Sequence, residues 1–212
     1  MDFEKDKEMW DKYWEEEKNS GLSLKKKITF LIRNYIFLPE NIHYLNKHFS
    51  SGVFLEAGCG SASNFEKLKN PNRRLIAFDM SPLALEKIKN NPCVDETILG
   101  NILNMPVNDD YLDGIWNSGV MEHFFKDEVL LILKEFHRTL KNDGKIVLFW
   151  PSSKLPIGWL IDQIIHMGVD LPGAVWSPSR KEIKLLLKEA GFQNIIIKIS
   201  YSLNHYIVIA QK

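Results

Sequence analysis

Glu56 stands at the end of the apolar run Val53-Phe54-Leu55, and the chain then passes through Ala57-Gly58-Cys59-Gly60-Ser61-Ala62. Two glycines beside a carboxylate let backbone come close to a ligand, since no Cβ stands in the way. The acid repels a diphosphate. A dinucleotide fingerprint also needs a third glycine three positions after the second, where a helix start faces a pyrophosphate, and that position is Ser63. The chemistry favoured here is the binding of a cationic or uncharged nucleotide-like ligand. Asp79 closes a second apolar run about twenty residues beyond the glycine turn, where such proteins place an acid on ribose hydroxyls through charge-assisted hydrogen bonds. A helix N-terminal acid, stabilised by the dipole, is the plainer account of the same residue. Glu122-His123 adds a carboxylate and an imidazole that titrates near neutral pH.

These residues need strands to carry them to one edge. Val53 to Leu55, Arg74 to Asp79, Glu96 to Leu99, Leu112 to Asn117 and Lys145 to Trp150 read as five successive strands, several without polar alternation, as in a parallel sheet covered on both faces. Between them lie helical segments. Ser63 or Asn64 is available to cap the first, Ser81-Pro82 opens the next and Asn90-Asn91-Pro92 ends it. A long helix covers about Asp127 to Leu140, and Asn142-Asp143-Gly144 turns the chain into the fifth strand. Ser179 and Glu182 have capping-box spacing, with Gly191 at the stop. Asn194 to Ser200 and His205 to Ala210 then form a close-coupled hairpin, which predicts an antiparallel strand at the end of the sheet. Ahead of the first strand, Phe3 to Lys18 reads as a charged helix with the aromatic stripe Phe3, Trp10, Tyr13 and Trp14, stopped by Asn19-Ser20-Gly21. Mixed helical regions at Leu24 to Phe37 and Glu40 to Phe49 follow. The alternation predicts an α/β fold with right-handed crossovers.

Glu56-x-Gly-x-Gly, with Ala62 where many members have a further glycine, resembles the first motif of the class I S-adenosylmethionine (SAM)-dependent methyltransferases. Gly100-Asn101-Ile102-Leu103-Asn104-Met105-Pro106 is similar to the family segment Gly-Asp-x-x-x-x-Pro, with Asn101 in place of the acid that contacts the adenine amine. An amide oxygen also accepts from that amine, and an Asn-rich turn is the alternative account. Asp113 through Glu122-His123 resembles the fourth-strand motif of small-molecule members of the quinone-biosynthesis type. The resemblance covers Val53 to Lys212. It implies a Rossmann-like three-layer sandwich on a mostly parallel seven-stranded sheet in the order 3-2-1-4-5-7-6, and SAM as cofactor with S-adenosylhomocysteine (SAH) as product. It assigns cofactor contacts to Glu56, Ala57, Gly58, Cys59, Gly60, Asp79, Met80, Asn101, Ile102 and Asn117, with Asn117 near the methionine portion. Glu122 and His123 fall near the reacting methyl. His123 has two readings, a general base or a residue that positions Glu122 and the following helix. No metal is expected, since metal-binding members carry a further acid here and position 119 is glycine.

The same resemblance makes residues 1–50 a helical extension whose Trp10, Tyr13 and Trp14 fold over the cofactor as a lid, with residues 51–212 as the SAM-binding domain. A helical insert at about 152–176, together with Trp150 and Trp159, is expected to shape the acceptor pocket, predicting a small apolar or aromatic acceptor and allowing contact with a membrane surface. Cys59 reads as a buried filler rather than a nucleophile. His43, His48, His137, His166 and His205 lack ligand spacing and read as surface or packing residues.

The 212 residues suit one domain with additions, and 27 Lys+Arg against 27 Asp+Glu give no electrostatic case for nucleic acid as a partner. Lys25-Lys26-Lys27 reads as a solvated helix face. Cys59 and Cys93 form no disulfide framework, the N-terminus is too charged for a signal peptide and no run approaches a membrane span. The expected setting is therefore the cytoplasm. Two other readings stay open: an NAD(P)-dependent oxidoreductase, disfavoured by Glu56 and Ser63, and a non-catalytic SAM-binding partner subunit, which Ala62 and Asn101 keep in play.

Overall fold

A computed structural model describes residues 3–19, 24–157 and 176–212. Strands β1 (Gly52–Ala57), β2 (Arg73–Asp79), β3 (Glu96–Leu99), β4 (Leu112–Ser118), β5 (Leu140–Pro151), β6 (Gln193–Ile199) and β7 (His205–Gln211) form one sheet. Their order is β3-β2-β1-β4-β5-β7-β6. β1 to β5 pair in parallel, while β7 runs antiparallel to both β5 and β6. This is the Rossmann-like α/β sandwich that the sequence implies.

The described helices are α1 (Phe3–Asn19), α2 (Leu24–Ile32), α3 (Leu38–His48), α4 (Phe65–Leu68), α5 (Pro82–Ile88), α6 (Lys126–Thr139) and α7 (Arg180–Glu189). Neighbouring residues of β1 explain the layers. Leu55 packs on one side of the sheet with Leu133 and Phe136 of α6 and Ile183 and Leu187 of α7. Phe54 packs on the other with Leu45 of α3, Phe65 of α4 and Leu85 and Ile88 of α5. A strand buried on both faces has no use for polar alternation. The helix starts follow their caps: Ser81 Oγ accepts from Ala84 N at 3.2 Å, and Ser179 and Glu182 exchange reciprocal bonds at 3.3 and 2.7 Å.

Three local departures from the expected elements have physical causes. The two mixed helical regions are one run, joined by a π-helical turn at Arg33–Phe37 in which Leu38 N donates to Arg33 O. Pro39, in the first turn of α3, has no N–H for the regular ladder, and the wider turn absorbs the misfit. β5 begins at Leu140 rather than Lys145, through a bulge that pairs Leu112 with Leu140 before Gly114 meets Lys145. α4 is a single turn, and its preceding residue Asn64 makes no side-chain cap. That amide is engaged elsewhere.

Candidate active site

The glycine turn after β1 is folded back on β2: Gly58 N and Cys59 N both donate to Phe78 O, at 2.8 and 2.9 Å. Gly60 has φ +48°, and a Cβ on it would stand 2.8 Å from the Trp14 ring of α1. Ala62 adopts φ +50°, the left-handed conformation that glycine favours. Asp79 ties the turn to α5, its two oxygens accepting from Gly60 N at 2.9 Å and Ser81 N at 3.0 Å. Burial pushes its carboxyl above the usual carboxylate range, against those backbone bonds.

Glu56 is 4% exposed. Its Oε1 accepts from Asn64 Nδ2 at 2.8 Å, which is why Asn64 does not cap α4. Oε2 has no hydrogen-bond partner among the described residues. Burial drives this carboxyl up to about 8, opposed by the Asn64 amide and by the nearby Trp116 indole N–H, which falls short of hydrogen-bond geometry, and reinforced by the Asp79 charge. A buried acid with a bare oxygen lacks a donor, and an ammonium supplied by a ligand would both fill the gap and restore the ionised form. Burial also pushes the Cys59 thiol up. It is therefore no thiolate nucleophile.

These groups line a single cavity of about 350 Å³. Of the residues singled out in the sequence, Glu56, Gly58, Cys59, Gly60, Asp79, Met80, Asn101 and Ile102 meet there with His123, Trp10, Tyr13 and Trp14. α1 closes over them. Trp10 stands edge-on to His123 with ring centroids 5.3 Å apart, Lys87 of α5 lies 4.8 Å over Trp14, and Ser81 Oγ donates to Asp11. His123 Nε2 is 3.8 Å from Glu122 Oε1, beyond hydrogen-bond distance. Asn101 Oδ1 accepts from Leu103 N at 2.9 Å, so its side chain also shapes its own turn. No cluster of His, Cys, Asp and Glu that could hold a metal occurs among the described residues.

Other expected positions differ. Trp150 is fully buried and meets Trp176 edge-on at 5.9 Å. Strand alternation sends its neighbours Phe149 and Pro151 to the cavity, and Trp150, expected at the acceptor pocket, is not among the lining residues. Ala57 and Asn117 are fully buried and do not line the cavity. Ser118, next along β4, does. Both amide atoms of Asn117 lack partners among the described residues. Trp159 and most of the insert lie outside the described residues.

The sequence reading missed a second wall. Arg33, Phe37 and Asn41 line the cavity from the helical run through the π turn, opposite Ser152, Asn204 and His205. Their four-residue spacing was a readable signal for a shared helix face. His205, one of the histidines that the sequence assigns to the surface or to packing, is buried, and its place at the start of β7 opposite Pro151 brings it to the cavity edge.

Comparison with known proteins bears on the same region. Residues 55–148 match the family described as a methyltransferase domain. The chain is 24% identical over 154 residues to a malonyl-[acyl-carrier protein] O-methyltransferase of Hamiltonella defensa, an alignment covering 66% of this chain and 57% of that protein. It is 29% identical over 127 residues to an uncharacterized methyltransferase of Schizosaccharomyces pombe, covering 58% and 49%. The chain thus spans about half the length of these curated relatives. A SAM-dependent methyltransferase of Archaeoglobus fulgidus superposes with a TM-score of 0.67 over 87% of this chain and 99% of its own, at 17% identity.

Proposed function

We propose that this chain, whose residues 55–148 match a methyltransferase domain, is a class I SAM-dependent enzyme that moves the methyl group of SAM to a small apolar or aromatic acceptor. The bare Oε2 of buried Glu56 beside the glycine turn carries this reading. When bound, the cofactor supplies an electrophilic methyl on a sulfonium. Glu56 would hold its ammonium, Asp79 would accept from its ribose hydroxyls, and Met80, Asn101 and Ile102 would flank its base. α1 would act as the lid, with Trp10, Tyr13 and Trp14 excluding water so that acceptor and methyl are held in line. His123, between Trp10 and Glu122, would face the reacting atoms.

Calorimetric titration with SAM and SAH tests the claim. We expect binding by the intact chain and its loss in Asp79→Ala. No heat with either compound, or an unaltered affinity in that variant, overturns it. Methyl transfer to any acceptor separates an enzyme from a non-catalytic SAM-binding subunit. Binding of NAD(P) in place of SAM would restore the oxidoreductase reading.

The aromatic rings of Trp10, Tyr13, Phe37 and Phe149 along one cavity support a planar acceptor. Arg33 favours a second reading, a carboxylate-bearing acceptor, because it lines the cavity with no ion-pair partner among the described residues. The H. defensa relative is named for O-methylation of a malonyl group. Arg33→Ala distinguishes the two, raising KM for a carboxylate acceptor and leaving a neutral one unchanged. Phe30, Leu31 and Tyr35 are exposed on the same helical run, supporting a peripheral contact with lipid that cosedimentation with vesicles would read. No described helix is long and apolar enough to cross a membrane. The free thiols of Cys59 and Cys93 support a reducing, cytoplasmic setting.

A further inference from the structure

The acceptor end of the cavity contains a buried imidazole whose tautomer is fixed by its neighbours. His205 is 4% exposed, and its Nδ1 lies 2.8 Å from Asn204 Oδ1. Ser200 Oγ, at 3.4 Å, and Ser202 Oγ, at 2.5 Å, both donate to that same oxygen. The atom facing the ring is the amide oxygen, an acceptor only, so the hydrogen of the neutral ring lies on Nδ1 and donates to it. Nε2 then bears a lone pair.

That lone pair is unfilled, as Nε2 has no hydrogen-bond partner among the described residues. Oε2 of Glu40, itself 4% exposed and likewise without a hydrogen-bond partner among the described residues, lies 3.7 Å away. The gap exceeds a hydrogen bond. Glu40 Oε1 is occupied by Tyr201 N at 3.1 Å. Burial pushes the imidazole down to about 4, so the ring is neutral near pH 7 and forms no full ion pair with Glu40, whose carboxyl burial pushes up. His205 lines the cavity, and a ligand group that pairs with Nε2 must donate to it. A hydroxyl does so; an ether or a carboxylate does not. Aromatic rings flank the imidazole edge-on, Phe37 at 5.7 Å and Phe149 at 6.1 Å between centroids, and both line the cavity.

We propose that His205 Nε2, backed by Glu40, is the recognition point for a phenolic hydroxyl on the methyl acceptor, with the acceptor's ring held against Phe37 and Phe149. This rests on the methyltransferase reading only for the word acceptor. His205 is a specificity residue here, and the proton stays on the bound hydroxyl.

The test uses p-cresol and 4-methylanisole, which share a ring and differ in the hydroxyl hydrogen, titrated into the intact protein with and without SAH. Nitrogen NMR on histidine-labelled protein should show the His205 ring as the Nδ1–H tautomer at pH 7, with the Nε2 resonance moved by p-cresol. Binding of p-cresol should be at least tenfold tighter than of 4-methylanisole. His205→Phe should abolish that ratio while SAH affinity stays within twofold, and His205→Gln, which keeps an acceptor oxygen, should retain part of it. Equal binding of the two probes to the wild type, or a shift confined to His123, overturns the proposal. If His205→Phe does not fold, the wild-type ratio and tautomer still decide. Failure to bind SAH at all would sink the cofactor reading and leave the phenol measurement standing.

Discussion

Glu56 is short of one hydrogen-bond donor, and the deficit makes a proton the reporter of cofactor binding. With its carboxyl raised to about 8 by burial, the free protein is mostly protonated there at pH 7, whereas an ammonium partner requires the anion. Binding should release close to one proton per site at pH 7, read as a dependence of calorimetric heat on buffer ionisation enthalpy, and affinity should rise with pH up to about 8. Glu56→Gln should remove the proton release and weaken SAM about 10- to 100-fold, the worth of one charge-assisted bond. Unchanged proton release in that variant would place the titration elsewhere. At Gly60, φ +48° and the 2.8 Å approach of Trp14 leave no room for a methyl group. Gly60→Ala should therefore cost about 1–3 kcal/mol in urea unfolding, and a loss below that range would mean α1 yields easily.

At the scale of elements, the strands were legible and the faces opposite them were not. Glu56 and Asp79 could be read because each ends an apolar run, and a strand end in a parallel sheet is a ligand position by topology alone. Asn64 was hidden by its own fitness as a cap, since nothing local says that its amide will turn back to Glu56. The face of Trp150 was not legible because a one-residue alternation decides it, and a fully apolar strand gives no phase. The π turn was invisible for a related reason: Pro39 signals a disturbance, and only the observed Leu38-to-Arg33 bond says that the ladder widens rather than breaks. Replacing Pro39 by Ala supplies the missing N–H. We expect the run to relax toward a regular helix and swing Phe37 and Arg33 off the cavity, raising acceptor KM several-fold with SAM affinity unchanged. Parallel changes in both constants would show that the turn supports the whole site.

For the molecule as a whole, two buried groups pull stability in opposite directions with pH. His205 titrates near 4 when folded against an ordinary value of 6.5, so the unfolded chain takes up a proton that the folded one refuses, and stability complete above pH 6.5 is lost as pH falls toward 4. Lowered His48 and His137 add to this acid limb. Glu56 does the reverse: the folded chain keeps a proton that the unfolded one sheds above 4.5, so stability declines as pH rises from there toward 8. Melting temperature should accordingly peak in mildly acidic solution, and SAM should flatten the alkaline limb by giving Glu56 its counter-charge. An alkaline limb identical in wild type and Glu56→Gln would rule out this source. The reversed direction of β7 has a further consequence, for the order in which the protein comes into being. The cavity residues from Glu56 to His123, proposed to hold the cofactor and the reacting atoms, precede α6 along the chain, whereas Arg33 and Phe37 wait for a facing wall that Asn204 and His205 complete. In order of synthesis, the part of the cavity proposed for the cofactor is therefore encoded first, and the part proposed for the acceptor is complete only once β7 lies beside β5.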